Sequence, residues 1–174
     1  MKNQFKILVS LIIILSLSLI GCESNSSKTS NQAVNINSQV KTSDLVKYKG
    51  SYVGDNSSVG NVIGKLPANM YGAGFSLETK KQPYGITIKY KANQGLGEDN
   101  YYNFWNGKKV NEFLEKNAVV LLSLLQNADF VEFHVDNIGV KTYKYDRKSL
   151  EQKYSCDLEN LFKDDSTIYK FLNS

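Results

Sequence analysis

Cysteine, histidine, proline and arginine are all scarce in this chain of 174 residues. Two cysteines cannot build a disulfide framework, and a single histidine cannot supply a metal site made of several imidazoles. Two prolines exclude a proline-rich spacer. The net charge of +4 is too small for the basic stripe that nucleic-acid-binding proteins carry. We therefore expect no metal, no other cofactor and no nucleic-acid partner.

The first 22 residues have the layout of an export signal. Lys2 and Lys6 precede an apolar run over residues 7–20. This run has the length of a signal-peptide core, roughly 7–15 residues, and is shorter than the roughly 20 residues of a membrane-spanning helix. It ends in Leu19-Ile20-Gly21-Cys22, which resembles the lipobox of bacterial lipoproteins. The alternative is an uncleaved helix in which the cysteine is incidental.

The lipobox resemblance implies three segments. Residues 1–21 would be a lipoprotein signal peptide, and residues 22–44 would be the acylated Cys22 followed by a flexible Ser- and Asn-rich tether, because this stretch has too few apolar residues to fold. Residues 45–174 would be a single globular domain. Two acyl chains anchor a protein stably, so we expect the protein at the cell membrane, lipid-anchored on its extracytoplasmic face.

Two hydrophobic periodicities divide the segment that follows Leu45. Alternation of apolar and polar residues predicts two hairpins, and apolar residues at helical spacing predict helices before, between and after the hairpins. Asp55 or Asn56 is a suitable N-cap for the first helix, Asp164 and Asp165 can cap the last one, and Ser149 begins a capping-box pattern. The strands are predicted at 75–79, 86–91, 130–136 and 140–146, and the longest helix at 108–126. The predicted fold is α+β: a four-stranded antiparallel sheet of two hairpins, with helices packed on one face and the order α-ββ-α-ββ-α.

Three stretches together resemble a known family. They are residues 52–61 with Leu66-Pro67, residues 77–90, and residues 116–127 with Phe133. The resemblance is to the family catalogued as domain of unknown function 4825, and it covers roughly residues 47–172. It implies a small extracytoplasmic domain of low-GC Gram-positive bacteria, found in free lipoproteins or at the outer end of membrane-embedded sensor peptidases. This chain has no His-Glu-x-x-His motif and no multi-span region, so the resemblance implies no peptidase activity here.

One predicted strand carries three polar groups on a single face. Glu132, His134 and Asp136 alternate with apolar residues, so their side chains point to the same side of the sheet. Such groups can act as acid and base or hold a metal. The alternative is a solvent-facing strand whose charges pair with lysines such as Lys144, and the lack of a second histidine favours that alternative.

An aromatic cluster lies between the second strand and the longest helix. Tyr101, Tyr102, Phe104 and Trp105 are its members. Aromatic side chains give a large contact area at low entropic cost, which is typical of recognition surfaces. The cluster is therefore a candidate binding surface, and the alternative is that it folds back as a lid on the core.

These patterns predict a membrane-anchored lipoprotein whose monomeric, non-catalytic domain binds or senses something in the cell envelope. The partners would be membrane lipid, through Cys22, and an unidentified envelope protein or ligand. One alternative is an envelope hydrolase that uses Glu132, His134 and Asp136. Another is an inhibitory or structural partner of a membrane protein.

The lipobox reading predicts that Cys22→Ala abolishes acylation. Because the acyl chains would hold the protein on the membrane, the variant should lose both its membrane retention in cell fractionation and the mass increment of the lipid. Cys156→Ala is the matched control and should keep both properties. Equal retention and equal mass in wild type and Cys22→Ala would show that the protein is not a lipoprotein.

Overall fold

The computed structural model describes residues 42–174 of the chain. The predicted signal peptide, Cys22 and most of the predicted tether lie outside the described residues. Within the described part, no helix is long and apolar enough to cross a membrane.

Five helices and four strands make up this part of the chain. The helices are α1 (Asn56–Ile63), α2 (Glu98–Trp105), α3 (Val110–Leu124), α4 (Arg147–Tyr154) and α5 (Asp165–Leu172). The strands are β1 (Gly72–Glu78), β2 (Gly85–Tyr90), β3 (Phe130–Asp136) and β4 (Val140–Asp146).

The four strands form one mixed sheet in the order β1-β2-β3-β4. The pairs β1–β2 and β3–β4 are antiparallel hairpins, as the alternation predicts. The central pair β2–β3 is parallel. The α+β class is therefore confirmed, whereas the prediction of a purely antiparallel sheet is wrong.

The connection between the hairpins explains the parallel pair. After β2 the chain passes through α2 and then returns along the sheet through α3, whose 15 residues span about 22 Å at 1.5 Å per residue. A strand of seven residues, such as β3, spans a similar distance, about 23 Å. The return therefore places the start of β3 beside the start of β2, which makes the pair parallel. The predicted order is also wrong, because two helices, not one, follow each hairpin: α-ββ-αα-ββ-αα.

The two central strands have one buried face and one polar face. On the buried face, Ile86, Ile88 and Tyr90 of β2 lie opposite Val131, Phe133 and Val135 of β3, and all six are core residues. The polar face carries residues such as Lys89 and Glu132, whose side chains remain exposed or half-buried. The helices therefore have one apolar sheet face to cover.

Helix α3 is the most deeply buried element. Every residue from Asn117 to Leu124 is buried, which is expected of a helix that is apolar nearly all round. The structure places it against β3, β4, α4, α5 and the short turn at Leu158–Asn160. Within the described residues it has close contacts with more of the other helices and strands than any other element has.

The chain's single arginine closes the carboxyl end of α3. Arg147 donates from Nε to the Ala128 carbonyl at 2.8 Å, and from Nη2 to the carbonyls of Leu122 at 2.6 Å and Leu125 at 2.9 Å. The last carbonyls of a helix have no partner inside the helix, and a positive charge suits that end of its dipole. Arg147 thus joins the start of α4 to the end of α3.

Two of the three predicted caps are confirmed. The Asp55 side chain accepts from the amides of Ser57 and Ser58 at the start of α1, and Asp164 forms a capping box with Thr167 at the start of α5. The Ser149 prediction is wrong, because α4 already begins at Arg147.

The segment before Leu45 also contacts the domain. The Asp165 carboxylate accepts from the amides of Asp44 at 2.7 Å and Val46 at 2.9 Å, and Thr42 is buried. The contacts of the domain therefore begin a few residues before the predicted boundary.

Burial of α3 predicts that Leu121→Ala destabilises the protein by about 2–5 kcal/mol, the usual cost of truncating a buried leucine. Leu121 is 0% exposed. Tyr169→Ala is the control, because Tyr169 is 50% exposed and the change should alter the unfolding free energy by less than about 0.5 kcal/mol. Denaturant titration measures both, and equal effects would contradict the central position of α3.

Candidate binding cavity

A cavity of about 520 Å³ opens where α2 turns into α3. Small-molecule sites in proteins usually have volumes of roughly 300–1,000 Å³. The lining comes from the loop after α1, the α2–α3 corner, the first two turns of α3, the last residue of α5 and the chain after it: Pro67, Asn103, Phe104, Gly107, Lys108, Lys109, Val110, Glu112, Phe113, Lys116, Asn117, Leu172 and Ser174. This is the candidate functional site, and we call it the corner cavity.

Aromatic rings build one wall of the corner cavity. Phe104 and Phe113 meet edge to face with ring centroids 5.1 Å apart, a favourable geometry for aromatic pairs. The Trp105 ring packs against Phe104 at 4.8 Å and against Phe113 at 6.2 Å. Trp105 does not line the cavity, so it supports this wall from the core side.

The charged side chains around the cavity are mostly cationic. Lys108, Lys109 and Lys116 oppose a single acidic residue, Glu112. Lys116 is engaged, because its Nζ donates to the Ser174 carbonyl at 2.5 Å and lies 3.5 Å from Glu112 Oε1. Lys108 and Lys109 are both exposed.

Asn117 contributes a buried amide to the cavity wall. Its Nδ2 donates to the Pro67 carbonyl at 3.2 Å, while no group of the described residues meets hydrogen-bond geometry at its Oδ1. Burial raises the pKa of the neighbouring Tyr90 hydroxyl well above its ordinary value. A side-chain interaction with Asn117 offsets part of this rise in pKa. An amide oxygen has two lone pairs. Because no described group donates to the Asn117 Oδ1 atom, this oxygen retains capacity to accept a hydrogen bond.

The corner itself is fixed by contacts with the β3–β4 turn. Asn106 follows the last residue of α2, and its Oδ1 accepts from Asn137 Nδ2 at 2.9 Å. At Gly107, a Cβ atom would lie 3.0 Å from the Phe104 carbonyl oxygen, so a side chain there would crowd the end of α2. These two features let the chain reverse within a few residues between the helices.

The four residues of the predicted aromatic surface differ in burial: two lie in the core and two are half-buried. Tyr101 is 0% exposed and Trp105 is 2% exposed, whereas Tyr102 and Phe104 are half-buried. The Tyr101 hydroxyl donates to the Tyr90 carbonyl at 3.0 Å, and burial raises the pKa of this phenol. The arrangement matches the alternative in which the cluster covers the core, and only Phe104 reaches the corner cavity.

The polar strand face brings two of its three predicted residues together. His134 Nε2 lies 2.5 Å from Glu132 Oε1, whereas Asp136 is exposed and forms no side-chain hydrogen bond or ion pair within the described residues. The acidic, histidine and cysteine side chains of residues 42–174 form no group of three that could hold a metal. None of the three residues lines the corner cavity.

Lys144 does not neutralise this face as the solvent-facing alternative suggests. Lys144 lies opposite Glu132 in the sheet, but its Nζ sits 4.0 Å from the centroid of the Phe130 ring, the distance of a cation–π contact. That ring covers Gly85 on the neighbouring strand, where an added Cβ would lie 2.1 Å from it. The Lys144 ammonium group therefore contacts the Phe130 ring and not the Glu132 carboxylate.

Sequence reasoning missed most of the corner cavity. The sequence pattern predicts that the longest helix begins at Lys108, whereas α3 begins at Val110. The Gly107-Lys108-Lys109 break between two apolar segments was the available signal. No sequence pattern indicated that Pro67, in the loop after α1, and Leu172, at the end of α5, would line the same cavity.

Comparison with known proteins identifies a family for this domain. The family model described as Domain of unknown function (DUF4825) matches residues 45–146. No curated protein and no solved structure is similar enough to count as a match.

Burial of Trp105 predicts that Trp105→Ala lowers the free energy of unfolding by about 3–5 kcal/mol, the usual cost of removing a large buried aromatic side chain. Tyr52→Ala is the control, because Tyr52 is 56% exposed and should change stability by less than about 0.5 kcal/mol. A Trp105→Ala protein as stable as wild type would place the indole at the surface. It would then favour the prediction that the aromatic cluster is a binding surface.

Proposed function

Because the chain belongs to the DUF4825 family, whose function is unknown, we propose its role from its own residues: a membrane-anchored extracytoplasmic lipoprotein whose domain binds a ligand without catalysis. The proposed binding site is the corner cavity. The lipid anchor is the proposed acyl group on Cys22.

The corner cavity is the observation that carries the binding role. It combines an apolar wall with a cationic rim in a volume suited to a small molecule. Its lining contains one acidic side chain, Glu112, which lies 3.5 Å from Lys116, and no histidine or cysteine. Of the side chains that serve in general acid–base and nucleophilic catalysis, the lining offers lysines and a single acid, and that acid is paired with Lys116, so the lining favours binding over reaction.

The anchor rests on the residues before the domain. The basic start, the apolar run and the Leu19-Ile20-Gly21-Cys22 tetrapeptide together support export and acylation. A tether of about 20 polar residues has a mean reach of roughly 25 Å. The domain would then be held close to the membrane and remain free to meet ligands or other envelope proteins.

Two other functions receive less support. A hydrolase would have to use the Glu132–His134 pair, which lies on the open face of the sheet and outside the corner cavity. An inhibitory or structural role would require a segment of a membrane protein as the occupant of the cavity. The thermal-shift experiment below also responds to such an occupant if the segment is present in the extract.

The binding role can be tested with an extract of small molecules and peptides from the cell envelope. A ligand that binds the folded protein raises its melting temperature, so the extract should raise that of the purified full-length protein by several degrees. Asn103→Phe should abolish the rise, because Asn103 is an exposed residue on the cavity rim and the larger side chain would fill the opening.

Asp99→Phe is the matched control. Asp99 is exposed one helical turn earlier on α2 and does not line the cavity, so this variant should respond like wild type. A rise that is equal in all three proteins would locate binding elsewhere. The absence of a rise in wild type would contradict the proposed function.

A further inference from the structure

We propose that the corner cavity binds an organic carboxylate with an apolar body and an N–H donor, the chemistry of the carboxyl-terminal residue of a short peptide. This inference rests on the proposed function and names the class of ligand. Three features of the cavity support it: the two rim lysines that have no partner within residues 42–174, the aromatic wall, and the buried acceptor of Asn117.

The rim cations call for an anionic group. Within residues 42–174, the side chains of Lys108 and Lys109 form none of the ion pairs and none of the hydrogen bonds, whereas Lys116 is held by Glu112 and Ser174. Among the side chains of the lining, three lysines stand against one carboxylate, so the side chains alone carry a net charge of +2. A ligand carboxylate would complement this charge.

The start of α3 adds to the positive potential of the rim. Lys109 is the residue before the first turn of α3, and it gives no side-chain acceptor to the free amides of that turn. The amino end of a helix carries a partial positive charge, and Val110, Glu112 and Phe113 bring this end of α3 into the cavity lining. The lysines and the helix end therefore favour an anion in the same place.

The wall and the buried amide define the rest of the ligand. Phe104, Phe113, Val110, Pro67 and Leu172 offer apolar surface that an aromatic or branched side chain would cover. The Asn117 Oδ1 atom is buried and accepts no hydrogen bond from residues 42–174, which is costly, and the amide N–H of a peptide would satisfy it. An inorganic anion has neither of these groups.

Tryptophan fluorescence provides a direct readout, because Trp105 is the chain's single tryptophan and packs behind the Phe104–Phe113 wall. We would titrate the purified full-length protein with N-acetylphenylalanine and, separately, with N-acetylphenylalaninamide. The two probes differ only in the charged carboxylate. The carboxylate should bind at least about tenfold more tightly, and added salt should weaken its binding.

A pair of lysine variants tests the position of the anion. Lys108→Gln/Lys109→Gln should reduce the affinity for the carboxylate roughly tenfold and leave the affinity for the amide unchanged. Lys80→Gln/Lys81→Gln is the matched control, because it also removes two adjacent exposed lysines but lies outside the cavity lining. This control should bind both probes like wild type.

The outcomes separate the ligand class from the binding role. Equal affinity for the two probes, or no binding of either, would overturn the carboxylate inference, while the extract experiment would still decide whether the cavity binds anything. Equal losses in both lysine pairs would assign the effect to the overall charge of the protein and would also overturn the inference. Selective loss in the Lys108/Lys109 variant supports it.

Discussion

The burial of the carboxyl half of α3 on every side is the constraint on which the rest of the structure depends. Eight consecutive residues, Asn117–Leu124, are buried, and each large apolar side chain among them contributes roughly 1.5–3 kcal/mol when removed from water. The sheet can cover only one side of this helix. The segment before α1, the helices after β4 and the turn at Leu158–Asn160 must cover the others, and Arg147 and the amide of Gly50 bind carbonyls at its carboxyl end.

The same helix places the corner cavity. Its carboxyl half is enclosed, but its first turns carry Asn111 and Glu112, which are exposed, so the helix emerges from the core at its amino end. At that end its dipole, the side chains of Lys108 and Lys109, and the aromatic wall meet. A rigid, buried helix that ends at a cavity holds side chains in fixed positions, which is what a binding site requires.

Local patterns in the sequence predicted the elements that depend on neighbouring residues. The bounds of β3 and β4 match their alternation, and Asp55 and Asp164 cap helices because their oxygens reach amides two or three residues away. The pairing of β2 with β3 was predicted wrongly, because strand direction depends on the path of the whole connection. Helix α2 was missed, because its eight residues are rich in aromatic side chains and show no clear helical spacing of apolar residues. The cavity was missed because it joins residues more than 100 positions apart.

Hydrogen–deuterium exchange, with and without N-acetylphenylalanine, tests most directly whether the corner cavity is the ligand site. The full-length protein would be followed by mass spectrometry of its peptides. The account predicts that the ligand slows exchange at the α2–α3 corner and the first turn of α3, residues 103–113, and leaves the β3–β4 hairpin, residues 130–146, unchanged. Slower exchange confined to the hairpin would contradict the account and move the site to the open face of the sheet, beside Glu132 and His134.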